Sequence, residues 1–149
     1  FDGSVYHGDG FAFRVHAAPP SWRPMAATGA ALAYDDPANR GQILVNARCD
    51  RDAEDVPLKS LTQHLFIRFT DRTTHSETVV PFDGREALRT DITAKLDGVD
   101  RRFLVWVMKK DRCVYDLLYF APADRFERGA PEFERWVADF KALPRPVRP

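Results

Sequence analysis

The residues of this sequence that could supply a nucleophile and its base are two cysteines, Cys49 and Cys113, and four histidines. A thiol and a histidine base must lie within hydrogen-bond reach, and no local motif brings such a pair together. Either cysteine could meet His64 or His75 only through a tertiary contact. Because Cys49 is also predicted to face inward, where an apolar site raises the pKa of a thiol, a structural role is favoured.

The two cysteines leave two structural alternatives open. An even number is compatible with one disulfide in an oxidising compartment, whereas two buried thiols would pack as small hydrophobic side chains. Neither residue has the C-x-x-C spacing of a redox or zinc motif. The sequence therefore predicts either a Cys49–Cys113 bridge or two buried thiols.

Oxygen ligands that could hold Ca²⁺ are concentrated in one short segment containing Asp50, Asp52, Glu54 and Asp55. The segment lacks the central glycine and the distant bidentate glutamate of an EF-hand loop. A solvated acidic loop is the favoured interpretation, and a calcium-binding module is the alternative. The histidines have no H-x-x-x-H or H-E-x-x-H spacing, so the sequence predicts neither zinc nor another cofactor.

Charge and hydropathy narrow the classes of partner. Lys and Arg number 22 and Asp and Glu number 22, so the net charge is zero and no long-range positive field attracts phosphate. Nucleic acid is therefore not an expected partner. No apolar run approaches the roughly 20 residues that cross a bilayer. Because the sequence starts at Phe1 without an initiator Met, we expect an exported chain whose signal peptide or lipid-anchor cysteine lay upstream.

The elements that must position these residues begin with strands. Period-two alternation and turn signals predict strands at 11–15, 30–34, 42–49, 77–82, 88–96, 102–109 and 113–120. Every second residue of the 42–49 strand, from Ile43 to Cys49, is apolar. This alternation places Cys49 on the interior face of the sheet. Asp97-Gly98 is the strongest hairpin signal, because glycine accepts the positive φ that such turns need. The last three strands therefore form an antiparallel meander.

Two helices complete the prediction. Pro57 suits a first helical turn, and leucines at helical spacing extend the helix over about 57–69. A second helix is predicted over about 131–142, beginning near Pro131. Residues 104–108 and 117–120 are apolar on both faces, so the helices must cover both sides of the sheet. We expect one α+β domain spanning 1–149, with about six or seven antiparallel strands between helices and a flexible tail at 144–149.

This order of elements, together with local sequence along nearly the whole chain, resembles the PsbP-like superfamily. The matching segments are 10–15 with Trp22 shortly after, 43–48, 57–58, 96–98, 114–119 and 133–140. The resemblance implies an α/β/α sandwich. Its members include photosystem extrinsic proteins, a nuclear-import factor that binds a small GTPase, bacterial envelope lipoproteins and secretion chaperones, and the two bacterial branches look nearer. Their roles are mostly binding, scaffolding and chaperoning, which one fold can serve with different partners.

These observations predict a non-enzymatic binding or scaffolding domain of an exported bacterial protein or lipoprotein. A sheet edge or a helix–sheet groove would hold a protein or peptide partner. Trp22 lies in a proline-rich loop, and if it is exposed beside Tyr34 the two are the first candidates for the partner surface. The alternative is an enzyme whose site is assembled from distant residues. No catalytic residue is predicted, and the oligomeric state is left open.

Overall fold

The computed structural model describes residues 3–49 and 55–144. Its strands are β1 (Val5–His7), β2 (Ala12–Arg14), β3 (Arg23–Pro24), β4 (Leu32–Asp36), β5 (Gly41–Cys49), β6 (Thr70–Phe82), β7 (Arg85–Leu96), β8 (Val99–Lys110), β9 (Cys113–Ala121) and β10 (Lys141–Ala142). The helices are α1 (Leu58–Leu65), α2 (Ala123–Val137) and a short 3₁₀ helix (Pro37–Asn39). A seven-stranded antiparallel sheet has the order β3-β4-β5-β9-β8-β7-β6, and a small sheet has the order β1-β2-β10. The predicted α+β class is confirmed.

The meander from β6 to β9 is built on three two-residue turns. Asp83-Gly84, Asp97-Gly98 and Asp111-Arg112 each have positive φ at both central positions, with 51° and 79° at Asp97 and Gly98. Turns of this kind match the right-handed twist of the flanking strands, and therefore hold the strands in register. The predicted hairpins are confirmed, although β6 starts seven residues before its predicted beginning at 77, since it runs from Thr70.

Alternate residues of the central strand β8 enter two separate apolar layers. Phe103, Val105 and Val107 pack with α1, whereas Leu104, Trp106 and Met108 pack on the side of α2. Successive side chains of a strand point to opposite faces, so a continuous apolar run needs cover on both sides. The sheet is therefore sandwiched between the helices, as predicted.

Helix α1 is shorter than its predicted range of 57–69. Pro57 is the N-cap residue, with the extended angles φ −60° and ψ 149°. After Leu65 the chain continues in tight turns, in which the Phe69 amide donates to the Phe66 carbonyl. Residues three apart also align in such turns. Both phenylalanine rings therefore still reach Phe103, at 5.1 and 5.2 Å between centroids.

The predicted beginning of the last helix at Pro131 is wrong. Helix α2 starts at Ala123, with Pro122 as the N-cap residue, and Pro131 lies inside it. Pro131 is exposed, so the backbone acceptor left by its missing N–H can be hydrated. The helix ends at Val137, before the predicted 142.

Gly129 fixes how closely α2 approaches the sheet. A Cβ built at this position would lie 1.8 Å from the Tyr119 hydroxyl oxygen of β9. That hydroxyl donates to the buried Asp36 carboxylate at 3.2 Å. Only glycine therefore fits where the helix backbone meets this buried hydrogen bond.

Three of the shortest strands were not predicted. Strands β1, β3 and β10 have two or three residues each, too few to show a period. Residues 145–149 of the predicted tail lie outside the described residues. Within the described part of the chain, neither helix is long and apolar enough to cross a membrane.

Candidate functional site

The cysteines are joined to each other. Cys49 and Cys113 are direct partners in the β5–β9 register and form a disulfide, which closes a loop of 64 residues. A bridged sulfur is not a thiolate nucleophile. His64 and His75 are exposed on α1 and β6, and His75 Nε2 lies 2.6 Å from Thr93 Oγ1. The structure therefore contradicts a catalytic site in which a cysteine thiolate acts with either histidine.

The expected partner surface at Trp22 and Tyr34 is also wrong. The two rings do touch, at 5.7 Å between centroids, but their residues are only 5% and 4% exposed. Trp136 of α2 packs against both rings, at 5.4 and 5.9 Å. Three aromatic rings in mutual contact remove apolar area from water, so the proline-rich loop folds inward at Trp22.

The calcium alternative stays a prediction. Asp50, Asp52 and Glu54 lie outside the described residues, and Asp55 is exposed. Within 3–49 and 55–144, no three His, Cys, Asp or Glu side chains are grouped so that they could hold a metal ion.

A groove of about 520 Å³ lies between α1 and the strands β6 and β7, and we call it the α1 groove. Its lining combines apolar side chains with polar and charged ones. The lining residues are Lys59, Ser60, Thr62, Gln63, His64, Phe66, Ile67, Arg72, Thr74, Glu77, Thr90 and Ile92. Ile67, one of these lining residues, is 67% exposed. Most of the lining is polar or charged, and its apolar members are Phe66, Ile67 and Ile92. A concave surface with convergent polar groups is a candidate binding site.

The groove exists because α1 covers only part of the sheet. The helix packs on β7 and β8, while β6 lies beyond it as the last strand. Nearly all β6 side chains are exposed or half-buried. Two register shifts, between Thr70 and Thr73 and between Thr74 and Ser76, interrupt its pairing with β7. Such bulges increase the local twist of a strand. The longest stretch of β6 that pairs with β7 without a register shift runs from Ser76 to Phe82.

Thr90 is the unusual residue of the groove. It is only 3% exposed, and its Oγ1 has no hydrogen-bond partner among the described residues. The neighbouring hydroxyl of Thr62 does not serve it, because Thr62 Oγ1 bonds the Leu58 carbonyl at 2.8 Å. Thr90 pairs in register with Glu77, whose carboxylate reaches Lys59 of α1 at 3.8 Å. A buried hydroxyl without a partner is costly, and therefore calls for an explanation.

The opposite face of the β6–β7 hairpin carries a second cavity, of about 420 Å³, against α2. Its polar groups are already paired. The Arg89 guanidinium donates from Nε to Glu134 Oε1 at 3.1 Å, and it lies 5.3 Å from the centroid of the Trp106 ring. Helix α2 therefore partly covers Arg89 of β7, and this cavity offers a ligand fewer free polar partners than the α1 groove.

A third cavity, of about 320 Å³, lies at the β8–β9 turn beside the disulfide. Two of its basic residues, Lys109 and Lys110, are engaged in internal contacts. Lys110 Nζ pairs with Asp83 at 3.0 Å, and Lys109 Nζ donates to the Val56 carbonyl at 2.7 Å. Asp83 in turn accepts from the Ala142 amide at 2.8 Å, so these contacts tie strands together.

Asp116 carries the one carboxyl group in the described residues whose pKa departs clearly from its ordinary value. Burial raises the pKa to about 6, and the positive charge of Arg48 opposes that rise. The residue is 3% exposed, and its Oδ1 has no partner among the described residues. A perturbed acid can mark a functional site. Asp116 lines none of these three cavities. We therefore treat its burial as a determinant of stability and not as part of a binding site.

The sequence prediction named a helix–sheet groove without locating it, although one residue pattern pointed to the α1 groove. Leu88, Thr90, Ile92 and Ala94 share the face of β7 that packs towards α1, and Thr90 is the polar member of that series. A hydroxyl on an apolar stripe must find a partner. Whether the Thr90 hydroxyl finds such a partner depends on where α1 and β6 lie. No local pattern of residues predicts those positions.

The fold is similar to that of the PsbP protein and of other solved structures. At the level of fold, the resemblance drawn from the sequence is confirmed by similar solved structures. One is the cyanobacterial PsbP protein, CyanoP, of Synechocystis, with TM-score 0.61 and 13% identity over 96% of this chain and 95% of that one. Another is LpqN of Mycobacterium tuberculosis, a protein involved in cell envelope biogenesis, with TM-score 0.63 and 15% identity over 95% of this chain and 90% of that one.

A third similar structure is a protein of unknown function from Pseudomonas aeruginosa, with TM-score 0.57 and 13% identity over 97% of this chain and 98% of that one. No protein-family model and no curated protein matches the chain. At these identities the comparisons establish the fold, and function must be argued from the groove itself.

Proposed function

We propose that this chain is a non-catalytic binding domain that holds an extended peptide segment of a protein partner along β6, with one peptide side chain in the α1 groove. The observation that supports this proposal most is that the α1 groove and the open edge of the sheet lie side by side. The groove contains a buried hydroxyl without a partner, and it lies directly beside the outer edge of the sheet.

Strand β6 supports the backbone part of this proposal. It has 13 residues, and among the described residues no strand pairs with the edge that faces away from β7. An open edge offers backbone donors and acceptors to an added strand, and pockets for alternate side chains then give specificity. The two bulges and the charged residues of β6 limit indiscriminate pairing. We therefore place the peptide against the regular stretch from Ser76 to Phe82.

Val79 provides an apolar contact at this edge. Its residue is 56% exposed, and it pairs with the buried Leu88 on the same face of the sheet as the α1 groove. An apolar side chain of the partner, two residues from the one in the groove, would cover Val79, because alternate residues of a strand share a face.

The same proposal places the protein outside the bacterial cytoplasm, attached to the envelope by an upstream anchor or exported without one. A structural disulfide is typical of an oxidising compartment. LpqN, which shares the fold, is an envelope biogenesis protein. Fractionation of the native cells tests this part: full-length protein found only in the cytosol, with its cysteines reduced, would contradict it.

Peptide selection tests the binding function. Random nine-residue peptides displayed on phage are selected against the full chain, and the affinities of the selected peptides are measured by calorimetry. We expect extended, β-prone peptides whose affinity falls about tenfold in Val79→Lys, since burying an unpaired charge opposes binding. Val99→Lys, at a similarly exposed residue (47%) of the β7–β8 hairpin, is the matched control and retains affinity.

Two outcomes would contradict the proposed function. One is a failure to select any peptide that binds the folded chain. The other is a set of peptides whose affinity is the same in the wild type and in Val79→Lys, because the bound segment would then lie elsewhere.

A further inference from the structure

We infer that the α1 groove binds a neutral carboxamide, such as the side chain of Asn or Gln, next to Thr90. The inference rests on the proposed function for the source of the amide, which would be the partner peptide. The chemistry of the groove itself is a property of this chain alone, and can be tested without any peptide.

Thr90 supplies the first contact. Its hydroxyl is both a donor and an acceptor, and it is unpartnered among the described residues although the residue is 3% exposed. A ligand group that accepts from this hydroxyl would satisfy it. Because Thr90 is buried, a hydrogen bond formed there is screened less by solvent than one at the surface.

Glu77 supplies the second contact and decides the charge of the ligand. It is the register partner of Thr90 on β6, and an ionised carboxylate only accepts. Lys59 Nζ lies 3.8 Å from this carboxylate, so the site already contains one charge of each sign. The pair is neutral overall, so a cationic or an anionic ligand would be attracted by one member and repelled by the other. A carboxamide adds no charge to this pair, while its NH₂ donates to Glu77 and its oxygen accepts from Thr90.

The apolar residues of the lining determine which chemical group should be attached to the amide. Phe66 and Ile92 are buried residues of the lining, 2% and 6% exposed, and both belong to the apolar layer under α1. A short alkyl chain can pack against them while the amide reaches Thr90. The match is to an amide on an apolar stem, as in Gln, rather than to a small polar molecule.

Access to Thr90 depends on the neighbouring ion pair. Lys59 of α1 and Glu77 of β6 form this pair, and their side chains are 64% and 34% exposed. An exposed ion pair of this kind contributes little to stability, so opening it for a ligand costs little. We therefore expect a ligand to reach the Thr90 hydroxyl by displacing these two side chains.

The test uses three small probes with the same branched alkyl group and different heads. Isovaleramide is neutral, isovalerate is anionic and isoamylamine is cationic. Each is titrated into the ¹⁵N-labelled full chain, and amide shifts are followed by NMR. We expect isovaleramide to shift the Phe66, Thr90 and Ile92 amides saturably. Its affinity should exceed that of the other two probes by about three- to tenfold, the value of one net hydrogen bond.

Matched variants separate the contacts. Thr90→Val keeps the shape of the side chain and should remove the preference for isovaleramide. Glu77→Ala should reduce it, by removing the second partner. Thr78→Val, at an exposed β6 residue on the other face, should leave it unchanged.

Equal shifts with all three probes, no shift at the groove, or a preference that survives Thr90→Val would each overturn the inference. These failures are distinct from failure of the proposed function. Peptides that bind along β6 in a Val79-dependent manner, with no amide preference, would leave the binding function standing. An amide site without any peptide binding would overturn the binding function alone.

Discussion

Replacement of Asp116 by Asn is expected to change how the free energy of unfolding depends on pH. Burial raises the pKa of this carboxyl from 3.8 to about 6 in the folded protein. The charged form is therefore less stable in the folded state than in the unfolded chain. Below pH about 4 the group is protonated in both states, and its contribution to stability is fully present.

The size of the effect follows from the shift of the pKa. A difference of roughly 2 units at about 1.36 kcal/mol each gives about 3 kcal/mol. The side chain is almost completely buried, so solvent screening takes little from this figure. As the pH rises through the folded pKa near 6, the wild type should lose about 3 kcal/mol that the Asn variant keeps.

Urea unfolding at a series of pH values, with the disulfide intact, measures this difference. The quantity to plot is the stability of Asp116→Asn minus that of the wild type, which cancels the titration of the other groups. It should rise between pH about 4 and about 6 and then level off. Asp111→Asn, at an exposed turn residue with φ 52°, is the matched control for replacing a carboxyl group by an amide. A flat or falling difference for Asp116→Asn would refute the reasoning.

Three further changes should alter stability in directions that the structure fixes. Thr90→Val should raise the free energy of unfolding by about 1 kcal/mol, because it deletes a buried hydroxyl without a partner, and urea unfolding measures it. Reduction of the Cys49–Cys113 bridge, which closes a loop of 64 residues, should lower it by about 4 kcal/mol, read from denaturation with and without a reductant. Gly129→Ala should lower it by roughly 1–3 kcal/mol, because its Cβ would overlap Tyr119 Oη, and thermal unfolding measures it.

Each of these predictions has an outcome that would contradict it. A loss of stability in Thr90→Val would mean that the hydroxyl has a partner. Reduction without a shift of the denaturation midpoint would mean that the bridge does not constrain the unfolded chain. Helix propensity alone predicts a gain of about 1 kcal/mol for Gly129→Ala, so a more stable variant would show that α2 does not pack closely on Tyr119.

The meander was predictable because its signals are local. Asp97-Gly98 lies between two runs of alternating residues, and the structure places a two-residue turn there. The same parity argument put Cys49 on the interior face, where it meets Cys113. The choice between a bridge and two thiols needed the register of β5 against β9, which joins residues far apart in the sequence.

The start of α2 was mispredicted because two prolines compete for the same signal. Pro131 suits a first turn, but Pro122 stands at the actual N-terminus, and the helix runs through the later proline. Trp22 was misplaced for a similar reason. Its prolines predict a loop correctly, yet the burial of its ring depends on Tyr34 and Trp136, which come from distant segments.

The position and lining of the α1 groove could not be predicted, because they depend on which part of the sheet the helix leaves uncovered. Periodicity predicted α1, β6 and β7, but it does not give the position of the helix over the sheet. The orphaned hydroxyl of Thr90 depends on all three elements together. Binding sites between elements are therefore harder to read from sequence than the elements themselves.

Hydrogen exchange of β6 with and without a selected peptide tests the central claim most directly. The amides of Ser76–Phe82 that face away from β7 should exchange quickly in the free protein and become protected in the complex, because an added strand accepts from them. Slower exchange should also appear beside the α1 groove, at Phe66 and Ile92. A complex in which the β6 amides exchange as in the free protein would contradict strand addition at this edge.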